Sequence, residues 1–468
     1  MTTKATQTAR AKFFWESRVK AFDLRHRATI HFNMTRYDDA FAVGKQQFRN
    51  LDMARKRAAL RKHYVIENLE DHLKTFEYHF TARGGKIIWA QDVAEARKAI
   101  LGIFEENHVK QVVKSKSMVT EEAGITTFLE KNGVECFETD LGEYIVQISN
   151  DKPYHIVTPA MHLSADDVAK IFHNRFDLPR DSSPDEITKF VRQTLREKFA
   201  SVQAGITGAN FLISESGAVA LTENEGNALL SMSVSGIHIV ITGIEKIIPT
   251  MRDLDLFWPL LATHGTGQHM TAYNSLVFGP KKPGENDGPE KMYVILLDNG
   301  RSRLLKATPQ RRNLACIRCG ACLNACPVYR NIGGHTYGTI YSGPIGAVIT
   351  PHLSGEFETY KHLSFATSLC GKCTEVCPVG IDLHHQLLYN RNLSQKMGLF
   401  SRSEKMSIKA YKWAMKKRKR LDMPPPWIKN FFATQFLKKG WGENRTMPRV
   451  VKSFSAQWKE KQQQTGGK

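Results

Sequence analysis

Cys316-Ile317-Arg318-Cys319-Gly320-Ala321-Cys322-Leu323-Asn324-Ala325-Cys326-Pro327 decides how the latter part of this chain folds. Its spacing is that of bacterial ferredoxins, in which three thiolates hold one iron–sulfur cluster and the fourth reaches a neighbouring cluster. Short gaps wrap the backbone about a cubane, and the proline ends the loop. A second run follows, Cys370-x2-Cys373-x3-Cys377-Pro378, so seven of the eight cysteines lie in the two runs. By the ferredoxin pattern, Cys316, Cys319 and Cys322 with Cys377 form one ligand set, and Cys326, Cys370 and Cys373 form the other. This is chemistry for moving single electrons.

The second run is one cysteine short. The position that should open it is Thr367. The second set is therefore [4Fe–4S] with a non-cysteine ligand, or [3Fe–4S], or a cluster with one iron open to another molecule. Zinc is the weaker reading, because structural zinc sites use four ligands at wider hairpin spacing. Disulfides are weaker still beside these spacings. Cys136 stands alone in a strand-like segment and reads as a small buried hydrophobe rather than a missing ligand. Between the runs lie Gly333-Gly334-His335-Thr336-Tyr337-Gly338 and Tyr341-Ser342-Gly343-Pro344-Ile345-Gly346. Their glycines suit backbone N–H groups approaching cluster sulfurs. His335 reads first as a histidine that satisfies a loop, and second as a redox-linked proton site or a fourth ligand.

Upstream, strands alternate with helices, which predicts a layered α/β sheet, largely parallel. Expected strands are 87–90, 111–113, 134–137, 144–147, 210–214, 218–221, 238–242, 273–277 and 292–297. Helices are expected over 93–106, 121–131, 166–172 and 185–199, and one long amphipathic helix over 55–80. The Gly279–Gly288 segment reads as a hairpin or surface loop. The domains expected are a helical segment at 1–61, an α/β domain at 62–300, a cluster domain at 305–390 and a basic region at 391–468.

In the α/β domain, Lys114-Ser-Lys-Ser-Met-Val-Thr-Glu-Glu122 sits at a strand-to-helix junction, where a Ser/Thr N-cap and two lysines would suit an anion. Glu138-Thr-Asp-Leu-Gly-Glu-Tyr144 is rich in carboxylates, and Gly205-Ile-Thr-Gly-Ala-Asn210 leads toward Thr222-Glu-Asn-Glu-Gly-Asn227. These line a pocket for a small anion, or are turns and caps. No Gly-x-Gly-x-x-Gly follows a strand and there is no P-loop. Nothing visible supplies hydride chemistry.

Of the 468 residues, 66 are Lys or Arg and 46 are Asp or Glu, a net charge of +20. The excess sits at the C-terminus: from Gln386 to Lys468 there are 20 basic and 4 acidic residues, a net of +16, peaking at Lys416-Lys-Arg-Lys-Arg420. Anionic membrane, acidic partner and nucleic acid are the functional readings of such a tail; a solvated surface is the plain one. The run lacks interleaved aromatics and a nucleic-acid module, so nucleic acid is not expected as a partner. Trp427 and Phe431-Phe432 beside lysines suit peripheral contact with an anionic membrane. The apolar run from Ile237 to Ile248 is broken by Glu245 and Lys246 and cannot span a bilayer. With no signal-peptide pattern, the expected location is cytoplasmic, with peripheral contact at the inner membrane face.

Together these motifs, with Asp298-Asn-Gly-Arg301 and the C-terminal Trp441-Gly442 and Ser453-Phe454, resemble the lactate utilization protein B family, the iron–sulfur subunits of bacterial L-lactate dehydrogenase complexes. The resemblance covers most of residues 55–460. It implies a Rossmann-like α/β domain of the sugar-isomerase and CoA-transferase type, a helical ferredoxin-like domain and a basic helical tail. It also implies two [4Fe–4S] clusters on the seven cysteines, two companion subunits and oxidation of L-lactate to pyruvate, with this chain transferring electrons rather than carrying the chemical step. The electron acceptor is unknown from the sequence. A rival of the same kind is a subunit oxidising another 2-hydroxy acid such as glycolate. A rival of another kind is a nucleic-acid-binding protein with structural clusters.

Overall fold

The computed structural model describes residues 4–437 and 446–465. Residues 1–394 form one compact unit and 395–468 another.

The first unit is organised on six parallel strands: β1 (Lys86–Ala90), β2 (Gln111–Lys114), β3 (Glu135–Glu138), β4 (Ala204–Thr207), β7 (Ile237–Gly243) and β10 (Lys291–Leu297). Their order is β1-β10-β7-β4-β2-β3. The central strands β4 and β7 are buried on both faces and mostly apolar, as a parallel sheet covered on each side requires. Along β10, Tyr293, Ile295 and Leu297 enter one core with helix Val93–Glu106. The alternate Met292, Val294 and Leu296 enter another core with helix Leu69–Thr81.

A second sheet has four strands: β5 (Phe211–Ile213), β6 (Ala218–Glu223), β8 (Ile247–Ile248) and β9 (Tyr273–Val277), in the order β8-β5-β6-β9. One face, with Leu212 and Val219, packs toward the large sheet. The other, with Phe211, Ile213, Ala218 and Ala220, packs into the core that holds Cys319, Cys322, Cys326, Cys373 and Cys377. This small sheet is thus the plate between the parallel sheet and the cysteine-bearing segment. Because β9 and β10 belong to different sheets, the Gly279–Gly288 segment is a surface loop and not a hairpin.

Three expectations are corrected. Residues 144–147 lie in a helix, Leu141–Ile148, capped by the Asp140 side chain on Glu143 N–H. The expected helix 55–80 is two, Leu51–Glu67 and Leu69–Thr81, parted at Asn68. The expected helix 121–131 is also two, Met118–Glu122 and Ile125–Lys131, parted at Gly124 with φ +54°. The N-terminal residues are helical as expected, over Lys4–Phe22 and Leu24–Gly44.

The second unit carries helices Arg402–Met415, Arg418–Asp422, Pro426–Phe432 and Phe454–Thr465. None of its described residues is buried. Pro424 and Pro425 lie between the second helix and the third, which Pro426 opens, where a missing N–H donor costs no helical bond. Trp441 and Gly442 lie outside the described residues.

Candidate functional site

The two cysteine runs build the same local turn twice. Gly320, with φ +79°, starts the short helix Ala321–Asn324, and Gly371, with φ +80°, starts Lys372–Glu375. Each left-handed glycine reverses the backbone so that cysteines on either side of it converge. None of the cysteines is disulfide-bonded.

The runs interleave. Burial raises the Cys319 and Cys322 thiols, and Cys316 and Cys377 add to the rise in both. The Cys377 thiol is pushed up to about 11 by burial, with Cys316 beside it. Separately, burial pushes Cys373 up to about 12, with Cys326 and Cys370 adding to it. Cys326 is raised by burial and in turn feels Cys370. Four thiols, 316, 319, 322 and 377, are therefore mutual neighbours, and three, 326, 370 and 373, form a second group. Cys370 is exposed, and its thiol is lowered by the Lys372 N–H and Ser368.

Backbone N–H groups are aimed at these sulfurs. Arg318 N–H donates to Cys316 Sγ at 3.4 Å and Ile381 N–H to Cys377 Sγ at 3.3 Å. Ile345 N–H serves Cys322, and Val328 and Tyr329 N–H serve Cys326. A thiolate at the centre of such donors is stabilised, yet a group of buried thiolates repel one another unless a metal compensates their charge. The donor set thus fits iron–sulfur ligation.

Cys136 lies in β3, buried, with Sγ 3.9 Å from Thr126 Oγ1 and outside both groups. Thr367 Oγ1 accepts from Leu369 N–H at 3.0 Å. His335 Nε2 donates to Lys152 O at 2.7 Å, which satisfies its loop. The glycines before it serve a different purpose from the one expected. A Cβ on Gly333 would fall 1.5 Å from Tyr154 Oη, and one on Gly334 would fall 1.9 Å from Tyr154 O. They admit Tyr154, while the sulfur-directed donor of this region is Ile345.

A cavity of about 360 Å³ adjoins the four-thiol group. It lies where the sheet order reverses, since β2 leads outward to β3 and β4 leads the other way to β7. This is where doubly wound sheets bind ligands. Its walls include Ser115, Lys116, Asn210 and Glu225 from the motifs above, and Arg318 and Cys319 from the cysteine loop. Lys114 is not part of it. The Lys114 ammonium is buried and lies 2.9 Å from Glu138 and 3.1 Å from Glu121. Desolvation disfavours its charge, but Glu138, Glu121 and Glu143 outweigh that and hold it charged. The expectation that both lysines serve an anion therefore fails for Lys114, which is consumed by carboxylates.

Sequence reading missed a charged network behind this cavity. Arg301 Nε donates to Glu245 Oε2 at 2.6 Å, and its Nη1 and Nη2 donate to Glu122 at 2.9 and 2.8 Å. Arg318 Nη2 donates to the other oxygen of Glu245 at 3.3 Å, and its guanidinium lies 4.4 Å from the centre of the Tyr341 ring. Tyr341 Oη donates to Glu122 at 2.6 Å. The available signal was the Glu245-Lys246 pair interrupting an otherwise apolar run.

Among the described residues, no helix is long and apolar enough to cross a membrane. Residues 73–297 match the LUD domain family, and residues 312–381 match the 4Fe-4S dicluster domain family. Lactate utilization protein B of Bacillus thuringiensis (strain Al Hakam) is 44% identical over 351 residues, 75% of this chain and 74% of that one. The protein of the same name from Bacillus cereus (strain AH187) matches to the same extent. Among solved structures, a DUF162 family protein from Deinococcus radiodurans is 15% identical with a TM-score of 0.28, covering 49% of this chain and 98% of that one. With an α/β body, an iron–sulfur segment and relatives at this identity over three quarters of its length, the chain belongs to the lactate utilization protein B family.

Proposed function

We propose that this chain is the iron–sulfur electron-transfer subunit of a complex that oxidises L-lactate to pyruvate. Cys316, Cys319, Cys322 and Cys377 would hold one [4Fe–4S] cluster. Cys326, Cys370 and Cys373 would hold the second, either [3Fe–4S] or [4Fe–4S] completed by a ligand other than a cysteine of this chain. The observation that carries this reading is the four-plus-three grouping of the thiols. Bound there, the clusters would accept and release one electron at a time. The protein's own part is to keep the thiols grouped, to aim N–H donors at their sulfurs and to bury the four-thiol group. Exposure of Cys370 supports the three-thiol group as the side facing an electron-transfer partner.

Two companion subunits complete the complex in this reading, and the acceptor is a separate molecule. The location is cytoplasmic. The exposed Trp413, Trp427, Phe431 and Phe432 among basic residues suit contact with an anionic membrane surface. The test is genetic. A strain lacking this chain should lose growth on L-lactate while keeping growth on pyruvate, and wild type but not Cys322→Ser should restore it. Normal growth on L-lactate with failure on glycolate would replace the substrate.

A further inference from the structure

The cations on the cysteine side of the cavity exceed the anions that serve them. Behind the cavity, buried Arg301 pairs with buried Glu245 and with Glu122, and Arg318, 9% exposed, shares Glu245; Lys246 is buried beside them with no carboxylate at ion-pair distance. Arg318 Nη1 is buried with no hydrogen-bond partner among the described residues. Lys246 is 7% exposed, lines the cavity, and has neither an ion-pair nor a hydrogen-bond partner among the described residues. Ser115, which also lines the cavity, has its Oγ buried without a partner. The carboxylates facing the same space are already engaged. Glu223 accepts from Ala228 and Leu229 N–H at 2.7 and 2.8 Å, Glu225 accepts from Leu141 N–H at 3.3 Å, and Asp140 caps Glu143 N–H at 3.0 Å.

Buried charges are retained where they are paired, and buried donors where they are used. Here a lysine without a hydrogen-bonded counter-ion, a guanidinium with an unused nitrogen and an unused hydroxyl belong to residues that line one cavity. We propose that this cavity is a binding site for a small carboxylate anion, held by Lys246 and Arg318 with Ser115 as a neutral donor. Arg318 is fixed for this: its other nitrogen is held by Glu245 and its plane by Tyr341, so Nη1 is presented without loss of rotamer freedom. Arg318 stands between Cys316 and Cys319, so a bound acid would lie against the loop of the four-thiol group. That the acid is a 2-hydroxy or 2-oxo acid rests on the lactate reading; the carboxylate site does not.

The test is anaerobic calorimetric titration of the full, cluster-loaded chain with L-lactate, pyruvate and acetate. The expected result is saturable binding of at least one of them. Lys246→Met should weaken it by about thirtyfold or more, and Lys246→Arg should largely keep it. Visible absorption should show the clusters intact in both variants. Binding of acetate but of neither three-carbon acid would keep the carboxylate site and count against the lactate reading. Absence of binding by all three acids, or affinity unchanged in Lys246→Met, would overturn the site and mean that the cations serve only the neighbouring thiolates.

Discussion

Arg318 Nη2 donates to Glu245 Oε1 at 3.3 Å, tying the loop between Cys316 and Cys319 to the residue just past the carboxyl end of β7. Through that bond the parallel sheet positions one of the two cysteine groups. Glu245 also holds Arg301 at 2.6 Å, so one carboxylate orders two buried guanidinium groups.

Glu245→Gln should therefore destabilise the fold by about 3–5 kcal/mol, since buried cations lose their counter-charge. Burial alone would raise this carboxyl, but Arg301, Arg318 and Lys246 outweigh it and hold it at about 2, below its ordinary 4.5. A depressed carboxyl contributes stability that is present above its unfolded value and is lost as pH falls through the folded one. The difference between wild type and Glu245→Gln should thus shrink as pH drops from about 4.5 toward about 2. Equilibrium unfolding at stepped pH measures this; a difference independent of pH would contradict it.

Lys114→Met should be comparably costly, about 3–5 kcal/mol, because Glu138 and Glu121 would lose the cation that both bind, leaving Glu138 buried without its counter-charge. Pairing it with Glu138→Gln should recover part of the loss. A double-mutant cycle on the unfolding midpoint checks this, and additive losses would show the two residues to be uncoupled.

Cys322→Ser should remove one cluster and Cys373→Ser the other, each lowering bound iron by about half. Thr367→Cys should alter the signal of the second cluster alone, by completing its thiolate set. Iron analysis with electron paramagnetic resonance reads all three. Unchanged iron in both serine variants would overturn the ligand assignment.

Both cysteine runs and most strands were legible because they depend on local spacing. The runs of β7 and β10 are largely apolar, which is how a strand buried on both faces reads. The misread helix at 141–148 shows the limit. Over four residues Tyr144 to Gln147 look strand-like, whereas Leu141, Tyr144, Ile145 and Ile148 share one helical face packed on Phe172 and its neighbours. The break at Asn68 has no Gly or Pro to announce it. The second sheet was invisible as a separate sheet, because which short strands pair is decided by contacts distant in sequence. The same holds for the charged network: Glu245 meets Arg301 and Arg318 across 56 and 73 residues, so only its intrusion into an apolar run could be seen.

The most direct test is electron paramagnetic resonance of the anaerobically purified chain with its co-expressed partners, before and after L-lactate. Reduced-cluster signals should appear with L-lactate and not with glycolate, and should lose the first cluster's component in Cys322→Ser. Signals that appear only with dithionite, and never with L-lactate, would contradict a place for this chain on the lactate electron path.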